Sequence, residues 1–208
     1  MHYAYFVLVP QKEAKTSGEA IGVAGDFLEN NNFANSEGGM WSGAKADWYE
    51  IGGRWSGIFT EMKLPKDKLK KCYAELKKIG EKHRKIWQET ADKLKAGSEE
   101  WGKTYPKLQE AEEKEKLACY NRHFPNLKVI PPIARKGTFS FKGSQRCDSD
   151  DAIKMSPKIF KEWKKEYGNG GEESSEYTDT ENYEEGLVKD LTFADVKNNW
   201  VVVVDYHN

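Results

Sequence analysis

The sequence predicts an α+β fold with an antiparallel or mixed sheet, and three observations carry that expectation. Two strongly apolar runs, Tyr3–Val9 and Trp200–Tyr206, lie near the two ends of the 208-residue chain. Neither alternates polar with apolar, so each reads as a strand covered on both faces. Between them, Pro65 to Phe124 is dense in Lys and Glu, with apolar positions at helical spacing. A strand, a helix, further strands, a helical insertion and a closing strand make a layered α+β domain, and a ferredoxin-like arrangement is the specific expectation.

The elements follow in order. Tyr3–Val9 ends at Pro10. Ser17 is placed to cap a helix over about Gly18 to Glu29, whose inner face carries Ala20, Val23, Ala24, Phe27 and Leu28. Asn30 to Ala46 is rich in Asn, Gly and Ser and reads as a long loop. Trp48 to Thr60 reads as one strand broken at Gly52-Gly53, or as a hairpin turning there. In the Lys/Glu region Leu69, Tyr73, Leu76, His83, Trp87 and Leu94 recur at steps near three and four. Gly97-Ser98 interrupts that pattern, Ser98 is placed to cap a continuation, and Pro106 suits the first turn of a further helix. An inserted helical hairpin over 65–124, within a core domain of 1–64 and 125–208, is therefore expected. Val129-Ile130 and Gly137 to Phe141 look strand-like. Ser156-Pro157 is a helix start leading to Ile159, Phe160, Trp163 and Tyr167. Gly168 to Gly186 is acidic and reads as a loop, and Thr192 caps a short helical turn before the valine-rich strand.

Composition narrows the function classes. Lys+Arg 33 against Asp+Glu 34 leaves a formal net charge of -1, which argues against sequence-blind binding to bulk nucleic acid. There is no apolar run near the ~20 residues needed to span a bilayer and no leader pattern, so a soluble cytoplasmic protein is expected. The three cysteines, Cys72, Cys119 and Cys147, form no CxxC pair and read as free thiols. Neither GxxxxGK[ST] nor GxGxxG is present.

The segment Asp47 to Gly57 holds two tryptophans, a tyrosine, one arginine and three glycines. Glycines allow sharp turns or close approach of a ligand, tryptophan faces stack on flat rings, and arginine grips phosphate or carboxylate in a planar fork. Trp48, Gly52, Gly53, Arg54 and Trp55 are the candidate ligand-binding residues, with Arg135 and Lys136 as a possible basic wall. If the segment is a strand, Tyr49 and Ile51 share one face and Trp48 takes the other. The competing reading packs the aromatics into the core and pairs Arg54 with Asp47 or Glu50. Asp205 and His207 fall on one face of the last strand, near His2, but no metal-ligand motif accompanies them. No catalytic set, metal or cofactor is expected.

Trp48-Tyr49-Glu50-Ile51-Gly52-Gly53-Arg54-Trp55-Ser56-Gly57 resembles a pattern found in small phage and bacterial proteins of unassigned function. Those proteins are similar in an opening apolar strand, in a mid-chain Ala-Arg-Lys-Gly (here Ala134 to Gly137), and in a valine-rich strand closing on Asp-x-His (here Asp205-Tyr206-His207). The resemblance covers about half of the chain, mostly its ends. It implies a phage or mobile-element setting, where small proteins interfere with host defence.

Two functions are therefore expected to compete. One is a binding protein that encloses a small anionic, nucleotide-like ligand and sequesters a host signalling nucleotide. The other is an enzyme that cleaves or modifies such a molecule through Asp47, Glu50 or His207. A protein-interaction or homo-oligomerisation role for the helical insertion is a weaker third.

Overall fold

The computed structural model describes residues 2–34, 44–94, 97–125, 151–169, 176–179 and 185–207. The chain divides into two compact units, Met1–Lys63 with Gln145–Asn208, and Leu64–Ser144.

The first unit is built on a six-stranded mixed sheet. β1 (His2–Pro10) and β6 (Asn199–His207) pair antiparallel along their whole length at its centre, from His2↔His207 to Pro10↔Asn199. The other edge of β1 pairs in parallel with β4 (Glu176–Asp179), which pairs antiparallel with β5 (Glu185–Leu187). The other edge of β6 is shared. β2 (Trp48–Ile51) takes Val204 to His207, and β3 (Ala152–Lys154) takes Trp200 to Val202. The central β6-β1-β4 order, antiparallel on one side of β1 and parallel on the other, is also the centre of a ferredoxin-like sheet.

Both faces of the central pair are covered, which is why neither strand alternates. Tyr5, Val7, Val9, Val202, Val204 and Tyr206 pack under Ala20, Ala24, Phe27 and Leu28 of α1 (Ser17–Asn30). Ala4, Phe6, Leu8, Val201 and Val203 pack under Trp55, under Ile58, Phe59 and Met62 of α2 (Ile58–Lys63), and under Trp163 and Tyr167 of α5 (Pro157–Tyr167). Phe6 sits at the middle of that second layer, edge-on to Trp163 at 5.1 Å and to Tyr167 at 5.0 Å.

Several local expectations need correction. The cap of α1 is Thr16, one residue before Ser17, with its hydroxyl accepting from Glu19 N–H at 3.2 Å. The residues after Gly53 do not continue a strand: a 3-10 turn (Gly53–Trp55) and α2 follow, because positive φ at Gly52 and Gly53 turns the chain off the sheet. The acidic stretch after Gly168 includes β4 and β5, since the second edge of β1 needs backbone partners whatever the side chains there. The Ser156 and Thr192 caps form as the sequence implies, the latter as a capping box with Asp195 before α6 (Phe193–Val196). Val129-Ile130, Gly137 to Phe141 and most of the Asn30–Ala46 loop lie outside the described residues.

The second unit is a pair of long helices, α3 (Lys66–Ala91) and α4 (Glu99–His123). Side-chain bonds join Glu75 to Arg122, His83 to Glu115 and Trp87 to Glu112, so residue number rises on one helix as it falls on the other and the pair is antiparallel. Ser98 caps α4, accepting from Trp101 N–H at 3.2 Å. Pro106 does not start a helix; it lies inside α4, eight residues into an element that Ser98 has already begun. One end of the pair is apolar, with Leu69, Cys72, Leu76, Cys119, Tyr120 and Phe124 in one cluster. The rest is joined by a polar ladder: His83 to Glu115 at 2.8 Å, Lys82 to Glu115 at 2.8 Å and Trp87 Nε1 to Glu112 at 3.1 Å, with Glu112 also bonded along its own helix to the fully buried Lys116. No helix among the described residues is long and apolar enough to cross a membrane.

Phe6→Ala should destabilise the sheet unit by about 3–5 kcal/mol, because it removes a buried ring and leaves a cavity between sheet and α5. Urea unfolding followed by tryptophan fluorescence checks this; a change below about 1 kcal/mol would show that the layer is loosely packed.

Candidate functional site

The Gly52–Trp55 segment lies where β2 and β3 meet end to end along β6. Val203 is the backbone joint: its carbonyl accepts Gly52 N–H at 2.8 Å, and its N–H donates to the Asp151 carbonyl at 2.9 Å. For β3 to take over the edge, the chain must leave it after Ile51. It does so at Gly52, with φ 74 and ψ -71, the dihedrals of a tight γ-turn, and at Gly53, with φ 50.

Both glycines also make room for carboxylates of the chain itself. A Cβ on Gly52 would come within 2.5 Å of the Asp151 carboxyl, and one on Gly53 within 2.4 Å of Asp205 Cβ. Asp151 and Asp205 are both buried. The close approach that glycine permits here is therefore occupied from within the fold.

Arg54 and Trp55 then part company. Trp55 is only 2% exposed and packs edge-on to Tyr167 in the core. The Arg54 side chain is 50% exposed. Its backbone N–H donates to Asp205 Oδ2 at 3.0 Å, and its Nε lies 3.8 Å from the same oxygen. The carboxylate beside Arg54 is thus Asp205, across the sheet, and not its sequence neighbours Asp47 or Glu50. Among the described residues the terminal guanidinium nitrogens carry no hydrogen bond.

Register places the remaining groups. Trp48 stands opposite His207 and Glu50 opposite Asp205, so these four share one face, while Tyr49 and Ile51 pack on the α1 side. Trp48 is 39% exposed and lies nearly parallel to the His207 ring, 6° between planes and 6.1 Å between centroids. His207 Nδ1 bonds the Asp47 carboxylate at 2.9 Å. That bond holds the Asp47 carboxyl below its usual value. Two residues along a strand are about 7 Å, so the Trp48/His207 pair and the Arg54/Asp205 pair are immediate neighbours along β6. Of the sequence candidates, the structure brings Trp48, Gly52, Gly53 and Arg54 together at this edge and puts Trp55 beneath it. Arg135 and Lys136 lie outside the described residues.

Asp47, Glu50 and Asp205 make the surroundings of Arg54 acidic, so an anion binding there competes with Asp205 for the guanidinium. Asp151 was missed from the sequence, where nothing about Asp148-Ser149-Asp150-Asp151 marks one of its acids as buried.

A second group of chemically capable side chains lies in the helical unit, where Cys72, Cys119 and His123 converge. Burial pushes the Cys72 thiol up to about 12 and the Cys119 thiol up to about 11, so both are held as neutral thiols and are poor nucleophiles.

No protein family, curated protein or solved structure matches the chain.

Gly53→Ala should lower stability by about 1–3 kcal/mol, from backbone strain at positive φ. Gly22→Ala on the open face of α1, where a Cβ meets nothing within 4 Å, should raise it by about 0.5–1 kcal/mol. Thermal unfolding of the two variants checks the opposite signs. Because the Asp47 carboxyl is depressed in the fold, its stabilising contribution is present above the ordinary value of 3.8 and is lost as pH falls through the lower folded value. Carboxyl-detected NMR should place its midpoint below 3.8, and His207→Ala should return it toward 3.8.

Proposed function

We propose that this protein binds a small, flat anionic ligand of nucleotide type at the β2–β6 edge. One observation carries the reading: the half-exposed Arg54 fork, backed by the buried Asp205, lies one residue pair along β6 from the exposed Trp48 ring. A planar cation next to a flat apolar face is what a phosphate and a base require together. Asp205 orients the guanidinium from behind, so less side-chain freedom is lost on binding. Sequestration of a host signalling nucleotide, the role the phage resemblance implies, needs binding without turnover, and a planar cation beside an exposed ring supplies binding groups for it.

The Asp47–His207 bond favours a second reading. A carboxylate that orients an imidazole is an arrangement used in general acid–base catalysis. Under that reading the ligand held by Trp48 and Arg54 is cleaved or modified by His207.

Incubation with a panel of mono-, di- and cyclic nucleotides, followed by heat release and mass analysis, separates the two. Intact ligand supports binding, altered ligand supports the enzyme, and no retained ligand of any kind removes both. For a ligand so found, Arg54→Ala should weaken affinity roughly 10- to 150-fold, equivalent to about 1.5–3 kcal/mol. Arg54→Lys should also weaken it, since lysine lacks the planar fork. Calorimetric titration is the measurement, and unchanged affinity in both variants would show that Arg54 serves only the fold.

A further inference from the structure

The helical unit carries a group of residues that the proposed ligand site does not use. Cys72 and Glu75 lie three apart on α3, and Cys119 and His123 lie four apart on α4. Those spacings put each pair on one helix face. The antiparallel packing turns the two faces toward each other. One ligand atom each from Cys72, Cys119 and His123 falls within 4.8 Å of the others. Both cysteines are fully buried and free of disulfide.

We propose that Cys72, Cys119 and His123 form a zinc site between α3 and α4, with water as the fourth ligand. Two thiolates and an imidazole are a zinc donor set, and three protein ligands plus water is a known zinc arrangement. Tetrahedral zinc with bonds of about 2.0–2.3 Å needs its ligand atoms about 3.3–3.8 Å apart, so atoms now within 4.8 Å of one another close by at most about 1–1.5 Å. In the proposed site, side-chain rotation of the two buried cysteines and of the partly buried His123 supplies that closure. Binding displaces one proton from each thiol, and Zn²⁺ with two thiolates carries no net charge, so the metal adds no unpaired charge to a buried position.

The surroundings fit a supported site. Glu75 Oε1 lies 3.1 Å from His123 Nε2, and Glu75 Oε2 accepts from Arg122 at 3.1 Å; the Cys119 Sγ–Glu75 Oε2 bond of 3.4 Å is given up when the thiol loses its proton to the metal. A carboxylate that fixes a histidine ligand, and is itself fixed by an arginine, is a common outer layer of zinc sites. Leu69, Leu76, Tyr120 and Phe124 pack in the same cluster as the cysteines and keep the thiols from bulk water.

The test uses the full-length chain, reduced, stripped with a chelator and titrated with Co²⁺ as the probe. The expected result is one Co²⁺ per chain, with the visible bands of tetrahedral cobalt and a near-ultraviolet thiolate band, both removed by added Zn²⁺. Cys72→Ser, Cys119→Ser and His123→Ala should each abolish the thiolate-bound spectrum, and Cys147→Ser should leave it unchanged. Glu75→Gln should weaken binding by about 10- to 100-fold while keeping the spectrum, the mark of a positioning residue. Far-ultraviolet circular dichroism shows whether each variant keeps its helices. The wild-type titration needs no variant: a helical, reduced wild-type chain that gives no tetrahedral cobalt spectrum overturns the site. Retention of the spectrum in folded Cys72→Ser, its loss in Cys147→Ser, or a Cys72–Cys119 disulfide that re-forms in the presence of Zn²⁺ would overturn it equally.

Discussion

Strand β6 has to satisfy hydrogen bonds along two edges and cover on two faces, and the sheet unit is organised by those four demands. Val201 to Val204 bury completely. No residue in that run can face water, so α1 must cover one side and α2 with α5 the other. On one edge β1 runs alongside from end to end. On the other, two short strands from distant parts of the chain divide the work, and Val203 holds the seam between them with both of its backbone groups. The double glycine, the buried acids and the direction of Arg54 are all features of that seam.

This gives a physical reason for the density of the Gly-Gly-Arg-Trp segment. Gly52 and Gly53 turn the chain off the edge and admit Asp151 and Asp205, Trp55 anchors the turn in the core, and Arg54 remains to meet solvent. Most of a motif that looks built for a ligand is thus needed for the fold. Within the motif, the groups the fold leaves exposed are Arg54 and Trp48.

What the sequence made legible follows from where the information is local. The central strands were legible because complete burial removes alternation. The helices of the second unit were legible because Leu69, Leu76 and His83 repeat at helical spacing, and the Ser98 and Ser156 caps because a cap is decided within four residues. β4 and β5 were not legible: Glu176-Tyr177-Thr178-Asp179 becomes a strand because β1 has an open edge, a fact stored elsewhere in the chain. The placement of Asp205 beside Arg54 depends likewise on the pairing of β2 with β6. The convergence of Cys72, Cys119 and His123 was hidden because the cysteines lie 47 positions apart and only the phase of two packed helices unites them. Cysteine spacing, the usual guide, is silent about such a meeting.

The polar ladder between α3 and α4 has a mechanical consequence. Apolar seams are forgiving, and two helices joined by leucines alone can shift by a turn at modest cost. Lys116 has no such freedom, because its buried ammonium is bonded to Glu112 beside it and the Glu112 carboxylate also holds Trp87 of the facing helix. A one-turn slip would take His83 and Trp87 away from Glu115 and Glu112 and leave the buried His83 ring without its partner. The pair is therefore keyed like a toothed joint. Its inter-helix bonds oppose the sliding by which many helical signalling elements switch.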